Sequence, residues 1–433
     1  MNIPKPFYLV ASLLCLTIPI AAQESGTLTV DQTIRRAIAT YPSVKQAEEA
    51  VRSAGYNIKM ARAAFLPVLS ASASYTRIEP VATVHFEDLD LSLDPKNNYN
   101  AGVSLRQSIY DFGKNRPKIE AAKEKEIVSH LQQENLYQSL ALNTVQLYYM
   151  NCFAREAIRI KKQELSDYEE MLRQTEIRTK SGSSTSFDLL NTQVSQSGVN
   201  TQLTELTANL RTLQVQLSVL ADTTVTENTS LNEKIEIKRN LSTLDYLLTS
   251  AYTARPEMQS AEKQISIARL EESAARRIYN PSLDLSAAAG GKNGYPLNLD
   301  RMKLNYEVGV TLSVPIYEGG RRKQSASLAR SASNTAVFQK ELVEKQVHQE
   351  VSENYYTLLS DFEKTEQLSR QVILAQKAYE QAKVNYKAGS ITNLELLTSS
   401  TNLSGSRLQL LQAKINYLIS YYKLQVSIGE KIW

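Results

Sequence analysis

The chain contains little glycine and proline. Its 433 residues include 15 glycines and 12 prolines, about half the share of these two residues in average proteins. Turns and short loops depend on both residues. The shortage disfavours a compact all-β domain or a series of small α/β units, and it favours long uninterrupted helices.

Cysteine, net charge and long apolar runs are also scarce. Two cysteines exclude a disulfide scaffold, and a net charge of +4 over 433 residues does not supply the concentrated basic face that nucleic-acid binding needs. The mean hydropathy is −0.32. Beyond the first 22 residues, no segment approaches the 18 consecutive apolar residues that indicate a membrane-spanning helix.

Residues 1–22 have the pattern of a secretory signal peptide. Lys5 supplies the positive charge, a short apolar run follows, and Ile20-Ala21-Ala22 forms the small-residue cleavage site. Cys15 follows two leucines instead of the small residue that precedes a lipidated cysteine, so lipidation is not expected there. The exported chain would keep Cys152, which lies in a helical segment and is expected to be a packing residue.

The chain is a tandem duplication with copies at 28–222 and 243–430, joined by a linker at 223–242. The proline that precedes the first strand recurs 214 residues later, and motifs further along recur at an offset of 207 residues. The matching pairs include Pro67 with Pro281, Tyr148-Tyr149 with Tyr355-Tyr356, Gly182 with Gly389, and Ser197-Gly198 with Ser404-Gly405.

Each half has the same order of predicted elements: a helix ending near a proline, two alternating segments around a polar loop, a long helix, a turn and a return helix. Strict alternation of apolar and polar residues predicts a strand with one dry and one wet face, and it is also typical of transmembrane β-strands. In the first half the predicted helices are 31–64, 114–181 and 186–220, and the strands are about 68–77 and 99–110. In the second half the helices are 243–279, 321–388 and 393–428, and the strands are about 282–289 and 305–316.

The two longest helical segments, 114–181 and 321–388, would each measure about 100 Å. Helices of that length must lie against partner helices, as in a coiled coil or a tube. The apolar strand faces must meet either lipid or a core, and alternation does not distinguish these two settings. In lipid a sheet must close into a barrel, and small membrane barrels have about eight strands, so four strands would require more than one chain. The alternative is two small sheets packed on each other in a soluble protein; the export signal and the long helices favour the membrane.

Over about residues 28–430, these features resemble the TolC family of outer membrane efflux proteins. The resemblance rests on the tandem halves, on the prolines before each first strand, and on the strand-exit motifs Ile-Tyr-Asp-Phe-Gly (109–113) and Val-Pro-Ile-Tyr-Glu-Gly-Gly-Arg (314–321). It also rests on the turn motifs around Gly182 and Gly389. It implies a mainly α protein with a membrane β-barrel, in which each half of a tandem-duplicated protomer is a long helical hairpin plus a two-stranded ribbon. Three protomers would form one twelve-stranded barrel continuous with a periplasmic α-helical tunnel.

The function that the resemblance implies is a passive exit duct of the outer membrane, with a large periplasmic part and no enzymatic activity or cofactor. It would receive substrates from an inner-membrane pump through a periplasmic adaptor protein, in efflux or type I secretion, and would not bind nucleic acid. An alternative of another class is a periplasmic coiled-coil adaptor or scaffold, but an adaptor would carry one hairpin instead of a duplication. A secreted enzyme has no catalytic constellation to support it, and the three histidines (His85, His130 and His348) lack the spacing of zinc ligands.

Family motifs also suggest which residues surround the periplasmic aperture. Asp188 and Glu395, each six residues after a turn glycine, match its acidic ring. Tyr386 matches a tyrosine that hydrogen-bonds across neighbouring hairpins. The tips at Gly182 and Gly389 would dock the adaptor.

The two acidic residues and the two turn glycines also have a purely structural interpretation. Both carboxylates lie in the first turn of a helix, where negative charge is favoured, and a glycine ends many helices in a left-handed conformation. An arginine that the family often has two residues after the second turn glycine is replaced by Ile391, so an arginine-dependent lock is not expected at that position. Five tyrosines near strand ends predict either an aromatic belt at the membrane interface or a simple β preference: Tyr75, Tyr99, Tyr110, Tyr306 and Tyr317.

Overall fold

A computed structural model describes residues 27–86, 89–231, 242–296 and 298–433. The predicted signal peptide with Cys15, and residues 232–241 of the predicted linker, lie outside the described residues. In the first half the elements are α1 (Val30–Thr40), α2 (Pro42–Ala63), β1 (Val68–Arg77), β2 (Thr83–Phe86), β3 (Leu89–Ser92), β4 (Asn97–Tyr110), α3 (Arg116–Lys180) and α4 (Ser186–Leu220). In the second half they are α5 (Leu244–Ala254), α6 (Pro256–Arg277), β5 (Ser282–Lys292), β6 (Lys303–Ser313), α7 (Arg321–Lys387) and α8 (Asn393–Ser427).

The first predicted helix of each half is two helices, which corrects the predictions of 31–64 and 243–279 as single segments. Tyr41 and Arg255 separate them in extended conformations, with ψ of 131° and 130°. Each precedes a proline, whose ring disfavours the α conformation of the residue before it. The proline then begins the next helix at a position where its missing N–H has no helical partner.

Two further corrections concern the strands. The polar loop predicted between β1 and β4 contains a short hairpin of β2 and β3, with Thr83 opposite Ser92. Strand β6, predicted to reach residue 316, ends at Ser313. Pro315 follows closely, and proline cannot donate to a strand ladder.

The four long strands form one antiparallel sheet in the order β1-β4-β5-β6. Each half supplies two neighbouring strands, and β4 pairs with β5 to join the halves. Strands β1 and β6 are the two edges of the sheet. The alternative of two small sheets packed on each other is therefore wrong, since all four long strands share a single layer.

The helices form a layer of their own, which extends from one end of the sheet. Near the sheet the neighbours run α2-α3-α6-α7, and farther away they run α4-α3-α8-α7. Helices α3 and α7 contain 65 and 67 residues, so each extends for about 100 Å. In both orders of neighbours, α7 lies at one side of the helical layer. The other side is formed by α2 near the sheet and by α4 farther away.

The main core lies around the middle of the long helices, where the short helices α1 and α5 pack against them. Its most deeply buried side chains include Ile34, Tyr148, Leu217, Leu358 and Ile415. Cys152 is buried in the same cluster. A second cluster near the far ends of the hairpins contains Tyr168, Met171, Tyr379, Tyr386 and Leu396.

Candidate functional site at the hairpin tips

The two long hairpins, α3–α4 and α7–α8, end in turns of the same geometry. Gly182 and Gly389 have φ of +76° and +77°. Ser183 and Ser390 each donate a backbone N–H to the carbonyl five residues earlier, at 2.8 and 3.0 Å, which satisfies an otherwise unpaired carbonyl at the helix end. A Cβ at either glycine would meet nothing within 4 Å, so the left-handed backbone, and not a lack of space, explains both glycines.

Asp188 and Glu395 each complete a capping box at the start of the return helix. Asp188 Oδ2 accepts hydrogen bonds from the backbone N–H and the hydroxyl of Thr185, at 3.0 and 2.8 Å. Glu395 Oε2 accepts the same two bonds from Thr392, at 2.7 and 2.8 Å. Each threonine hydroxyl in turn accepts the N–H of its acidic partner, at 3.1 and 3.3 Å. Asp188 Oδ2 also accepts the hydroxyl of Ser184 at 2.9 Å. Capping thus accounts for the contacts of Glu395 and for most of those of Asp188 within one chain.

These hydrogen bonds also lower the pKa of the two carboxyl groups at the tips. The backbone N–H of Thr185 is the main cause that lowers the pKa of Asp188 below its ordinary value, and its hydroxyl adds to the effect. The backbone N–H and then the hydroxyl of Thr392 lower the pKa of Glu395 in the same way. Both carboxyl groups are therefore ionised at neutral pH.

Tyr386 joins the second hairpin to the first. The residue is only 3% exposed, and its hydroxyl lies 3.3 Å from Oγ1 of Thr175 in α3. The guanidinium of Arg178, also in α3, lies over the tyrosine ring with Cζ 4.4 Å from the centroid. Nη2 of Arg178 donates to the carbonyls of Tyr386 at 2.8 Å and Lys387 at 3.1 Å, so one side chain caps α7 and covers the ring.

Asn393 makes a second connection in the opposite direction. Its Nδ2 donates to the carbonyl of Asp188 at 3.1 Å and to Oγ1 of Thr192 at 2.8 Å. Asn393 is 4% exposed and Thr192 is fully buried. The first turn of α8, which carries Glu395, is therefore held against the first turn of α4, which carries Asp188.

Arg178 and Asn393 are functional candidates that the sequence motifs did not indicate. A signal for both exists in the duplication, because the residues at the matching positions differ while the surrounding motif repeats. At an offset of 207 residues, Arg178 corresponds to Asn385 and Asn393 corresponds to Ser186. A side chain that is present in only one of the two repeated turns is a candidate for a contact that the other turn does not make.

At the other end of the molecule, the sheet separates apolar and polar side chains between its two faces. One face carries the cross-strand rows Leu69–Leu105–Ala287–Val308 and Ala71–Val103–Ala289–Tyr306. The opposite face carries Ser70–Ser104–Ala288–Glu307 and Ser72–Gly102–Gly290–Asn305. On edge strand β6, the apolar side chains of Tyr306, Val308 and Val310 are 85%, 68% and 60% exposed. Among the described residues, no other layer covers the apolar face at this edge. The opposite face of the sheet carries the polar rows.

The strand tyrosines lie at both ends of this sheet. Tyr75 and Tyr99 stack near the end far from the helices, with ring centroids 5.2 Å apart. Tyr110 packs against Phe112 near the helices, at 4.7 Å, and Tyr317 follows β6 with 85% of its surface exposed. This distribution supports an aromatic belt but is also compatible with the β preference of tyrosine.

Apolar spanning helices and metal clusters are two further features that could indicate a function. No helix within the described ranges combines the length and the apolar composition needed to cross a membrane. Among the same residues, no group of His, Cys, Asp and Glu side chains is arranged to hold a metal ion.

Comparison with known proteins identifies relatives along almost the whole chain. The family model described as outer membrane efflux protein matches residues 33–221 and 247–430. The outer membrane protein TolC of Escherichia coli K12 is 23% identical over 410 residues, which cover 92% of this chain and 81% of TolC. The pyoverdine export outer membrane protein OpmQ of Pseudomonas aeruginosa is 23% identical over 405 residues, covering 92% of this chain and 85% of OpmQ.

The fold is also found among solved structures. The outer membrane protein VceC of Vibrio cholerae superposes with a TM-score of 0.77 at 18% identity, and the match covers 93% of this chain and 97% of VceC. VceC therefore shares the architecture of long helices joined to a small sheet. TolC, OpmQ and VceC are all outer membrane proteins, so these likenesses give no support to the alternative of a coiled-coil adaptor.

Proposed function

Since this chain belongs to the outer membrane efflux protein family and is an exit duct of the outer membrane, we propose that three copies assemble into its conducting form. Each copy contributes four strands, so that twelve strands close one barrel, and the helical layers continue it as a periplasmic tunnel. The duct conducts passively and has no catalytic activity of its own.

The observation that carries this proposal is the sheet with one exposed apolar face and two unshared edges. A sheet edge in lipid leaves backbone N–H and C=O groups without partners, which costs several kcal/mol per group. Pairing β1 of one copy with β6 of the next removes both edges. The apolar rows then face lipid, and the rows of serine, glycine and asparagine line the pore.

The sides of the helical layer support the same head-to-tail assembly. On α4, the side chains of Phe187, Val194 and Val215 recur at multiples of seven residues and are 66%, 70% and 63% exposed. On α7, Leu328, Leu342 and Tyr356 recur at intervals of fourteen residues and are 75%, 47% and 61% exposed. Apolar side chains spaced by multiples of seven residues are typical of helices that pack lengthwise on a partner helix. Helix α4 of one copy packs on α7 of the next.

In this assembly the hairpin tips form the periplasmic aperture. Asp188 and Glu395 ring it with six carboxylates, and Tyr386 stabilises the closed arrangement from within each chain. The turns at Gly182 and Gly389 dock a periplasmic adaptor protein, which connects the duct to an inner-membrane pump. The pump selects the substrate and supplies the energy.

Assembly can be tested on outer membranes of cells that express the full chain. We expect the protein to require detergent for extraction, to have the mass of three chains by light scattering, and to form pores in planar bilayers. A monomer released without detergent would contradict the proposal.

Copurification tests the partners. A tagged duct should retain an adaptor, and replacing the two turns with Gly-Ser loops of equal length should abolish retention.

A further inference from the structure

Two lysines lie directly opposite each other at the end of the sheet that is far from the helices. Lys292 is the last residue of β5 and Lys303 is the first residue of β6, and the two form a cross-strand pair. Both residues are exposed. Like charges directly opposite each other destabilise a pair of strands, so this position needs a compensating contact.

An aromatic ring supplies part of that compensation. The ammonium nitrogens of Lys292 and Lys303 lie 5.4 and 5.5 Å from the centroid of the Tyr295 ring, within the range of a cation–π contact. The ring attracts both cations but leaves their charge in place. Among the described residues, neither lysine forms an ion pair with a carboxylate, including that of Asp300 in the same loop. The cluster therefore keeps two positive charges, and each ammonium group keeps N–H donors for a further partner.

The loop between β5 and β6, which carries this ring, is held in place by hydrogen bonds. Asn293 is only 6% exposed. Its Oδ1 accepts the backbone N–H of Tyr99 at 2.7 Å, and its Nδ2 donates to the carbonyl of Asn97 at 2.6 Å. Gly294 donates its N–H to the carbonyl of Leu299 at 2.7 Å, which closes the loop. The ring is therefore held in a preformed position, and a ligand of the cluster would need little reordering of the loop.

The strand register places both lysines on the polar face of the sheet. Their cross-strand row is Ser74–Asn100–Lys292–Lys303, which continues the polar rows described above. The first acidic residue on this face, Glu307, lies two rows closer to the helices. In the proposed duct this face lines the lumen, and the end far from the helices is the outer mouth. Two lysines in each of three copies would surround that mouth with six ammonium groups.

We propose that Lys292, Lys303 and Tyr295 form an anion site at the outer mouth of the duct, which binds multivalent oxyanions such as phosphate. This inference rests on the proposed trimeric duct and assigns a ligand class to the end opposite the tips. Ammonium groups donate charge-assisted hydrogen bonds to phosphate oxygens, and a bound phosphate offsets the like charges of the pair. Since the site faces the lumen, its ligands are dissolved anions and the anionic groups of molecules that leave the duct, and not the phosphates of the surrounding lipid.

A thiol placed beside the lysines can report their charge. The substitution Asn100→Cys is opposite Lys292 and one strand further from Lys303, which corresponds to about 5 and 10 Å between strands. In outer membranes that contain the variant, an anionic methanethiosulfonate reagent should react faster than its cationic counterpart, because fixed positive charge concentrates anions. The chain without the substitution, whose Cys152 is buried, gives the background rate. Ser74→Cys, in the same row, replaces Asn100→Cys if that variant does not fold.

Removing the charge should weaken this preference. We expect Lys292→Gln with Lys303→Gln to slow the anionic reagent about fourfold in dilute buffer, since each unit charge at about 10 Å in water changes a local ion concentration about twofold. The matched control, Lys45→Gln with Lys162→Gln, removes two exposed charges of α2 and α3 and should leave the rates unchanged. Equal rates in the two double variants would contradict the site.

Inorganic phosphate tests the ligand class. Exchanging chloride for phosphate at constant ionic strength should slow the anionic reagent when both lysines are present, and should have no effect when both are replaced by glutamine. No effect of phosphate in either case would overturn the proposed ligand class. The same rates are measured in vesicles with and without anionic phosphatidylglycerol. Slowing by this lipid instead of dissolved phosphate would place the lysines on the lipid face and contradict the proposal. A chain that does not form trimers would instead contradict the proposed duct.

Discussion

Thr185 and Thr392 show how one short motif can serve two purposes. Each threonine caps a helix through its hydroxyl and receives a carboxylate in return. The same bonds lower the pKa of that carboxyl group. Helix capping and a charged aperture are therefore compatible, since the capping box presents the negative charge at the tip of the hairpin.

Neutralising both tip carboxylates tests their place at the aperture. We expect Asp188→Asn with Glu395→Gln to weaken the cation preference of the pore, because fixed charge at a constriction selects ions of opposite sign. The measurement is the reversal potential in a salt gradient across a planar bilayer. Glu205→Gln with Glu363→Gln removes two exposed charges away from the tips and should leave the preference unchanged. An unchanged preference in the tip variant would remove both residues from the aperture.

The pH dependence of selectivity follows from the lowered pKa values. The ordinary values are 3.8 for Asp188 and 4.5 for Glu395, and both folded values lie below them. Because a carboxylate is charged above its pKa, cation preference should persist at pH 5 and be lost only as the pH falls below these ordinary values. Thr185→Ala with Thr392→Ala removes the hydroxyl donors and should move the midpoint upward. A wild-type midpoint above pH 4.5 would contradict the assignment.

At the scale of elements, the paired glycines of β4 and β5 show why the sheet needs small residues on its wet face. Gly102 lies opposite Gly290. A Cβ at Gly290 would lie 2.3 Å from the carbonyl oxygen of Ala101 and 2.6 Å from Cα of Gly102. Such close approach of two backbones leaves no space for a methyl group, and it occurs where the two halves of the chain join.

Gly290→Ala should therefore destabilise the sheet. We expect a loss of about 1–3 kcal/mol, typical of forced overpacking, seen as a lower temperature at which heated samples lose their folded mobility on gels. Gly291→Ala is the matched control, because its Cβ would meet only the flexible end of Met302 at 3.3 Å and a carbonyl oxygen at an ordinary contact distance. Equal stability of the two variants would indicate that the β4–β5 junction can separate without cost.

For the whole molecule, the question is which face of the sheet meets lipid. Val310 and Thr311 are neighbours on edge strand β6 and point to opposite faces. Val310 lies on the apolar face, while Thr311 lies opposite Asp284 on the wet face. The two positions are at nearly the same depth in the proposed barrel, so they differ mainly in the face of the sheet on which they lie.

Val310→Lys should impair outer-membrane assembly, and Thr311→Lys should not. A lysine on the lipid face costs about 2–4 kcal/mol at the membrane midplane and less toward the interface, and Val310 lies between the middle of β6 and its end at Ser313. A lysine in the wet lumen stays hydrated. Heat-modifiable mobility and the amount of trimer in purified outer membranes provide the measurement. Equal assembly of both variants would mean that the apolar face does not meet lipid.

Much of this architecture was predictable because it follows from local patterns. Glycine and proline scarcity indicated the long helices, alternation indicated the strands, and the repeated motifs indicated the duplication. The helix interruptions at Tyr41 and Arg255 could also have been predicted, since each of these residues precedes a proline. The hairpin of β2 and β3 was missed because four-residue strands give too short a pattern to detect.

The amino-acid sequence by itself determined the long helices and strands, their order and the family, because periodicity and capping act over a few residues. Only the tertiary structure decided how the strands pair, which rows share a face, and that Arg178 and Asn393 fasten one hairpin to the other. Those contacts join residues about 200 positions apart, where no local pattern constrains the partner. The initial scarcity of glycine and proline thus predicted two long hairpins, and their side-by-side packing created the tip contacts.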